Sequence, residues 1–137
     1  METIILPDDI KIVYVIANSF PAGIPAAIEK LHSIVPFTND RKYISVSRPE
    51  DGEAIVYKAG ATELKEGELS KYDLRSMIIK KGKYYYLEVH NFRNDVMAIA
   101  NAFKKLIAQK DVDPYGYCVE WYSNTSENVK CMVRIKD

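Results

Sequence analysis

The sequence has no surplus of either charge: 19 Lys and Arg stand against 19 Asp and Glu. A broad nucleic-acid face needs a basic excess, so direct nucleic-acid binding is not expected. No apolar run is long enough to cross a bilayer as a helix, and no membrane association is expected. The opening residues, Met1-Glu2-Thr3-Ile4-Ile5-Leu6-Pro7-Asp8-Asp9, lack a basic region and a long apolar run, so they do not read as a signal peptide. A cytoplasmic location is expected. Cysteine is limited to Cys118 and Cys131, which read as reduced packing residues on adjacent strands of one hairpin rather than as a disulfide. His32 and His90 form no metal-ligand spacing with them, so neither a metal nor another cofactor is expected. Asn124-Thr125-Ser126 matches a glycosylation sequon and reads as a turn.

What the chain does have is apolar content. Hydrophobic residues make up 47% of the 137 positions, enough for a real core in one domain. Residues 10–18 are rich in β-branched side chains and predict a strand. Ile24, Ala27, Ile28, Leu31 and Ile34 recur at helical spacing, with Pro21 or Pro25 suited to the first turn and Pro36 as the stop. Strands follow at about 42–48 and 53–59 around the turn Pro49-Glu50-Asp51-Gly52. Residues 61–72 read as a polar connection. Strands at 74–79 and 84–90 flank the basic turn Lys80-Lys81-Gly82-Lys83, which reads as a solvated hairpin tip. Val96, Ile99, Ala100, Phe103, Leu106 and Ile107 predict a second helix, capped by Asn94 or Asp95. Residues 117–122 and 127–135 close the chain as strands.

Sliding the chain by 72 residues brings Tyr14 onto Tyr86, Phe20 onto Phe92, Ile24 onto Val96, Leu31 onto Phe103 and Arg48 onto Glu120. The strand from Glu53 needs two more residues of offset to meet the strand from Glu127. Element order and apolar phase repeat together, as in a duplication. The expected fold is α+β: tandem βαββ modules, about 10–60 and 74–135, in a single domain over 1–137. Their antiparallel sheet would carry two helices on one face and a central crevice.

Glu120 is the one charged residue in Tyr117-Cys118-Val119-Glu120-Trp121-Tyr122. Alternation puts Cys118, Glu120 and Tyr122 on one face of that strand. A carboxylate there faces water or, if buried, must be paired, protonated or waiting for a ligand. If the modules are related by a pseudo-twofold axis, Arg48 takes the place of Glu120 in the first module. It would then pair with a carboxylate, Glu120 itself among the candidates, or sit exposed beside the Pro49 turn.

The duplicated βαββ order, the strand Gly82-Lys83-Tyr84-Tyr85-Tyr86-Leu87-Glu88-Val89-His90 before the second helix, and Glu120-Trp121-Tyr122 resemble the GyrI-like small-molecule-binding domain. This is the effector-binding domain of AraC-type and MerR-type multidrug-responsive transcription regulators. The resemblance spans about residues 10–135, and no stretch reads as the helix-turn-helix those regulators add. It implies a stand-alone binding protein for lipophilic, cationic or aromatic small molecules. Glu120 would meet the ligand, with Tyr122, Tyr86 and Tyr84 as pocket walls and Arg48 nearby. Many members of that family carry Gly just after this strand, where Asn91-Phe92 follows here, and many carry Pro soon after the Glu-x-Tyr signature, where Ser123-Asn124 follows.

A carboxylate among aromatic rings suits an organic cation on its own physics, since each cation–π contact adds roughly 0.5–2 kcal/mol. The alternative is a hydrolase resembling enzymes that open strained cyclopropane rings in toxic natural products. Glu120 would then be the base, with Tyr86 or Tyr122 as its hydrogen-bonding partner. A third reading is a protein–protein inhibitor like the gyrase-inhibitory members. Nothing in the sequence fixes the oligomeric state, and a homodimer stays open.

Overall fold

The β-branched run after Pro7 becomes a strand, as its composition demands, and each half of the chain is built outward from such a strand. The structure, a computed structural model, describes residues 1–50, 52, 54–95, 97–125 and 127–137. The strands among them are β1 (Thr3–Leu6), β2 (Ile10–Ile16), β3 (Ile44–Pro49), β4 (Ile55–Ala61), β5 (Arg75–Ile79), β6 (Gly82–Val89), β7 (Cys118–Tyr122) and β8 (Val129–Arg134). The helices are α1 (Ile24–Ile34) and α2 (Ala98–Ile107), so the fold is α+β. The chain divides into two compact units: residues 10–79, and residues 1–9 with 80–137.

In the unit of residues 10–79 the strand order is β5-β2-β4-β3, every pair antiparallel. Alternation turns Val13 and Val15 of β2 and Tyr57, Ala59 and Ala61 of β4 toward α1. There they meet Ala27 and Leu31 of the helix and Val35 just beyond it. Pro25 sits in the first turn of α1, where its missing N–H is not needed. The helix ends as Val35 donates its N–H to the Leu31 carbonyl at 2.8 Å, just before Pro36. The polar connection 62–74 is pinned by Leu69, which is buried, and by a two-pronged ion pair. Arg41 Nη1 and Nη2 each donate to Glu68 at 2.8 Å. The turn after Pro49 lies partly outside the described residues, which leave out Asp51 and Glu53; β4 is described from Ile55.

In the other unit the order is β1-β6-β8-β7, again antiparallel throughout. Helix α2 lays Ala102, Phe103 and Leu106 over Val129, Cys131 and Val133 of β8. The second helix begins later than its apolar spacing predicts. Asn91 adopts a left-handed backbone (φ 51°), a conformation Asn tolerates better than most residues. A 3₁₀ turn, Phe92–Asn94, follows. The N-cap of α2 is Met97, with no side-chain cap bond, so neither Asn94 nor Asp95 caps the helix as expected; the Asp95 side chain accepts the Met97 N–H at 3.0 Å just ahead of it. Val96, expected to open the apolar stripe, lies outside the described residues. The basic run 80–83 is not the expected hairpin tip: β5 pairs with β2, β6 pairs with β1 and β8, and Gly82 and Lys83 already belong to β6. Lys81 is held from both sides: its N–H donates to Asp9 at 2.8 Å and its carbonyl accepts from Arg134 Nε at 3.0 Å. Strand β1 is an addition to the sequence reading.

The two units repeat one pattern of pairing. A shift of 72 residues carries Val13↔Ala61, Tyr14↔Gly60, Val15↔Ala59 and Ile16↔Lys58 onto Tyr85↔Val133, Tyr86↔Met132, Leu87↔Cys131 and Glu88↔Lys130, all of which are formed. The same shift carries Tyr57 to Val129, so β4 meets β8 without the two extra residues the sequence comparison had needed. The match does not extend to β3. Ser47 pairs with Tyr57, whereas Val129 pairs with Tyr122. The counterpart of Tyr122 is therefore Ser47, that of Glu120 is Ser45, and Arg48 falls opposite Ser123. The expected Arg48–Glu120 equivalence is corrected by these registers: three residues lie differently in the loops on either side of the strand, and each odd slip turns a side chain to the other face.

Candidate functional site

Strand β7 places Glu120 directly across from Cys131 on β8, and Cys131 across from Leu87 on β6. Residues opposite one another in an antiparallel ladder share a face. Cys131 and Leu87 both pack with Phe103 and Leu106 of α2. Glu120 therefore points to the helix-covered side, and it is only 6% exposed. Cys118, Tyr122, Tyr85, Val129 and Val133 lie on the same side. Phe92 closes this group at the start of the 3₁₀ turn, its ring edge-on to Tyr122 with centroids 5.6 Å apart.

The Tyr122 hydroxyl donates to Glu120 Oε1 at 2.5 Å. Among the described residues no lysine or arginine pairs with this carboxyl. Burial raises it from the usual carboxylate range to about 7, against the smaller lowering effect of the Tyr122 hydrogen bond. The two cysteines are free thiols. Burial pushes Cys118 up to about 11 and Cys131 up to about 12, and the neighbouring Glu120 charge adds to both. They line the site as small apolar groups, not as thiolates. The site is thus an acid close to half-ionised at neutral pH, one hydroxyl donor, and an apolar and aromatic surround. It can stabilise a cation or move a proton.

The other expected site residues lie elsewhere. Tyr84 and Tyr86 sit across from Arg134 and Met132, on the face of the sheet away from α2. The Tyr84 hydroxyl donates to the Lys80 carbonyl at 2.5 Å, and burial raises its ionisation to about 12, so it fastens the turn that follows β5. Tyr86 carries Lys130 Nζ at 5.3 Å from its ring centroid and is held protonated by a hydrogen bond with Glu2. Neither reaches the Glu120 side of its own sheet, because odd and even positions of β6 part there. Arg48 pairs with a carboxylate, that of Glu50, at 3.2 Å; Lys58 meets the same oxygen at 3.2 Å. Tyr85 and Phe92 are the residues the sequence reading passed over. Both were legible in principle: Tyr85 shares its alternation phase with Leu87 and Val89, and Phe92 is the repeat partner of Phe20.

Among the described residues no three His, Cys, Asp or Glu side chains cluster so as to hold a metal ion. No described helix is long and apolar enough to cross a membrane.

No family model matches the chain, and no curated protein matches it. Solved structures do. An integron cassette protein from the mobile metagenome of Vibrio cholerae is similar with a TM-score of 0.75 at 12% identity, over 98% of this chain and 95% of that one. A Staphylococcus aureus protein named for bacterial transcription regulation is similar with a TM-score of 0.52 at 12% identity, over 97% and 95%. A Listeria innocua hydrolase is similar with a TM-score of 0.51 at 10% identity, over 98% and 91%. At such identities the likeness is one of fold, and the fold is one shared by regulator-like and hydrolase proteins.

Proposed function

We propose that this chain is a GyrI-like effector-binding domain that takes a lipophilic organic cation at Glu120. One observation carries the reading: a buried carboxyl with a single hydroxyl partner and no cation beside it among the described residues. A buried charge is ordinarily paired, as the buried Arg41 guanidinium is with Glu68. The regulator-like neighbour supports the same reading at the level of fold. Two titrations test it, one with a quaternary ammonium dye and one with a neutral aromatic dye of similar size. Glu120→Gln keeps the shape and removes the charge. The cationic dye is expected to lose ~1–3 kcal/mol and the neutral dye nothing. Equal losses for both dyes would sink the reading.

A hydrolase acting on a strained ring is the second reading. It is favoured by the same carboxyl, because a general base works best when it ionises near the working pH. Glu120 would take a proton from water, and Tyr122, not Tyr86, would be its hydrogen-bonding partner. Here Glu120→Gln would bind substrate and lose turnover; retained turnover would exclude it.

We also infer that the chain arose by tandem duplication of a βαββ module. The ladder pairs that coincide after a 72-residue shift support it. An experimental structure whose halves superpose best at another offset would undo it.

A further inference from the structure

We propose that the Glu120 carboxyl works as a proton-exchange site, whose protonated form surrenders its proton to solvent when an organic cation takes its place. The inference rests on the binding reading above and concerns what accompanies binding. Its basis is the surroundings of the carboxyl. From its own strand Glu120 is faced by Cys118 and by Tyr122, whose hydroxyl is its one donor among the described residues. From β8 it is faced by Cys131, and from β6 by Leu87, with Tyr85 one pair further along. The Tyr85 hydroxyl is turned away, donating to the Lys110 carbonyl at 2.8 Å. Helix α2 contributes Ala102, Phe103 and Leu106, while its Lys104 and Lys105 are exposed. At the rim, Arg93 lies over the Phe92 ring at 5.3 Å from its centroid. Among the described residues, none on these elements forms an ion pair with the carboxyl, and both thiols stay protonated well above neutral pH.

An isolated carboxylate in such a place is destabilised unless it is neutralised. Two species can do that: a proton, or a cationic ligand. They compete for one oxygen pair, so the exchange balances. The acid plus the ligand cation gives the carboxylate–cation pair plus one proton released to buffer. The carboxyl's elevation to about 7 places the exchange in the neutral range. Two linked consequences follow. Cation affinity rises about tenfold per pH unit below the titration and levels off above it, and a neutral ligand shows no such slope.

The test is calorimetric titration of the intact protein with a quaternary ammonium dye, in pairs of buffers with different ionisation enthalpies. The slope of apparent enthalpy against buffer enthalpy counts protons. The expected release is close to one per dye at about pH 5.5 and close to zero at about pH 9. Glu120→Gln should release none at either pH. A dye that binds without releasing a proton at low pH overturns this proposal and leaves the binding reading intact. A second measurement needs no ligand: the side-chain carbon resonance of Glu120, assigned by its loss in Glu120→Gln, is followed against pH in the empty protein. Titration near pH 7 supports the exchange. Titration in the ordinary carboxylate range overturns it even if no dye binds, whereas the absence of any dye binding counts against the binding reading.

Discussion

Tyr122 and Glu120 stand two residues apart on one strand, on the same face, and the hydroxyl of the first donates to the carboxyl of the second at 2.5 Å. A hydrogen bond to a carboxylate favours the ionised form, so it works against the burial that raises Glu120. Tyr122→Phe removes the donor and keeps the ring against Phe92. Glu120 should then titrate higher, by on the order of one pH unit, as for a hydrogen bond to a charged group. Cation binding at neutral pH should weaken accordingly. A carbon-resonance titration of the variant checks this, and an unchanged or lower midpoint would show that the hydroxyl does not govern the acid.

Arg41 and Glu68 show the opposite case, a carboxylate that already has its cation. Arg41 is 2% exposed and also donates to the Pro36 carbonyl at 3.2 Å and the Thr62 carbonyl at 2.8 Å. The guanidinium, and then the Leu64 N–H, hold the Glu68 carboxyl down to about 2. A lowered acid contributes stability that is full above its usual range near 4.5 and is lost as pH falls toward 2. Arg41→Ala should lower stability at neutral pH by about 3 kcal/mol, since it strands the groups a buried cation had satisfied. The gap from wild type should narrow on acidification. Urea unfolding at pH 7 and pH 3 measures both, and a gap that widened in acid would contradict the assignment.

The element order was legible because each β-branched or amphipathic run is long. Strand β1 was not: Thr3-Ile4-Ile5-Leu6 is four residues against Pro7, too short for alternation to register. The helix stop at Val35 and the late start of α2 differ in the same way. Pro36 announces the first, but nothing local announces the 3₁₀ turn after Asn91. For the site, alternation correctly grouped Cys118, Glu120 and Tyr122 on one face. It could not say which face of β6 lies on that side. That depends on Leu87↔Cys131↔Glu120, a register between strands far apart in sequence. The Arg48 equivalence failed for the same reason, because a fixed offset cannot see unequal loops that compensate.

Gly60 sits on β4, at the position a 72-residue shift carries onto Met132 of β8, and its surroundings show why no side chain is tolerated. A Cβ there would overlap the Ile44 carbonyl oxygen and lie 2.7 Å from Ile12 Cδ1. The first is backbone and cannot swing aside. Gly60→Ala should destabilise by about 1–3 kcal/mol through overpacking. Thermal unfolding of the variant is the check, and an unchanged midpoint would mean that β3 is free to shift.

Glu120→Gln is expected to change the pH dependence of stability itself. The folded protein holds the carboxyl at about 7, against an ordinary value of 4.5, because burial disfavours the charge. The folded state therefore binds the proton more tightly than the unfolded chain does. The stability this gives is fully present below about pH 4.5, and it is lost as pH rises through 7. The difference corresponds to about 3 kcal/mol between the two limits. Gln is neutral at every pH and can still accept the Tyr122 hydroxyl, so the variant has no such loss. Near pH 4.5 the two proteins should be of similar stability, and at about pH 8 the variant should be the more stable. Guanidinium unfolding at those two pH values gives the comparison as a difference of slopes, in which any fixed cost of the amide cancels. Parallel pH profiles for wild type and variant would mean that Glu120 ionises in the folded protein as readily as in water. The proton exchange would then lose its physical basis, while the binding reading would still rest on the dye titrations.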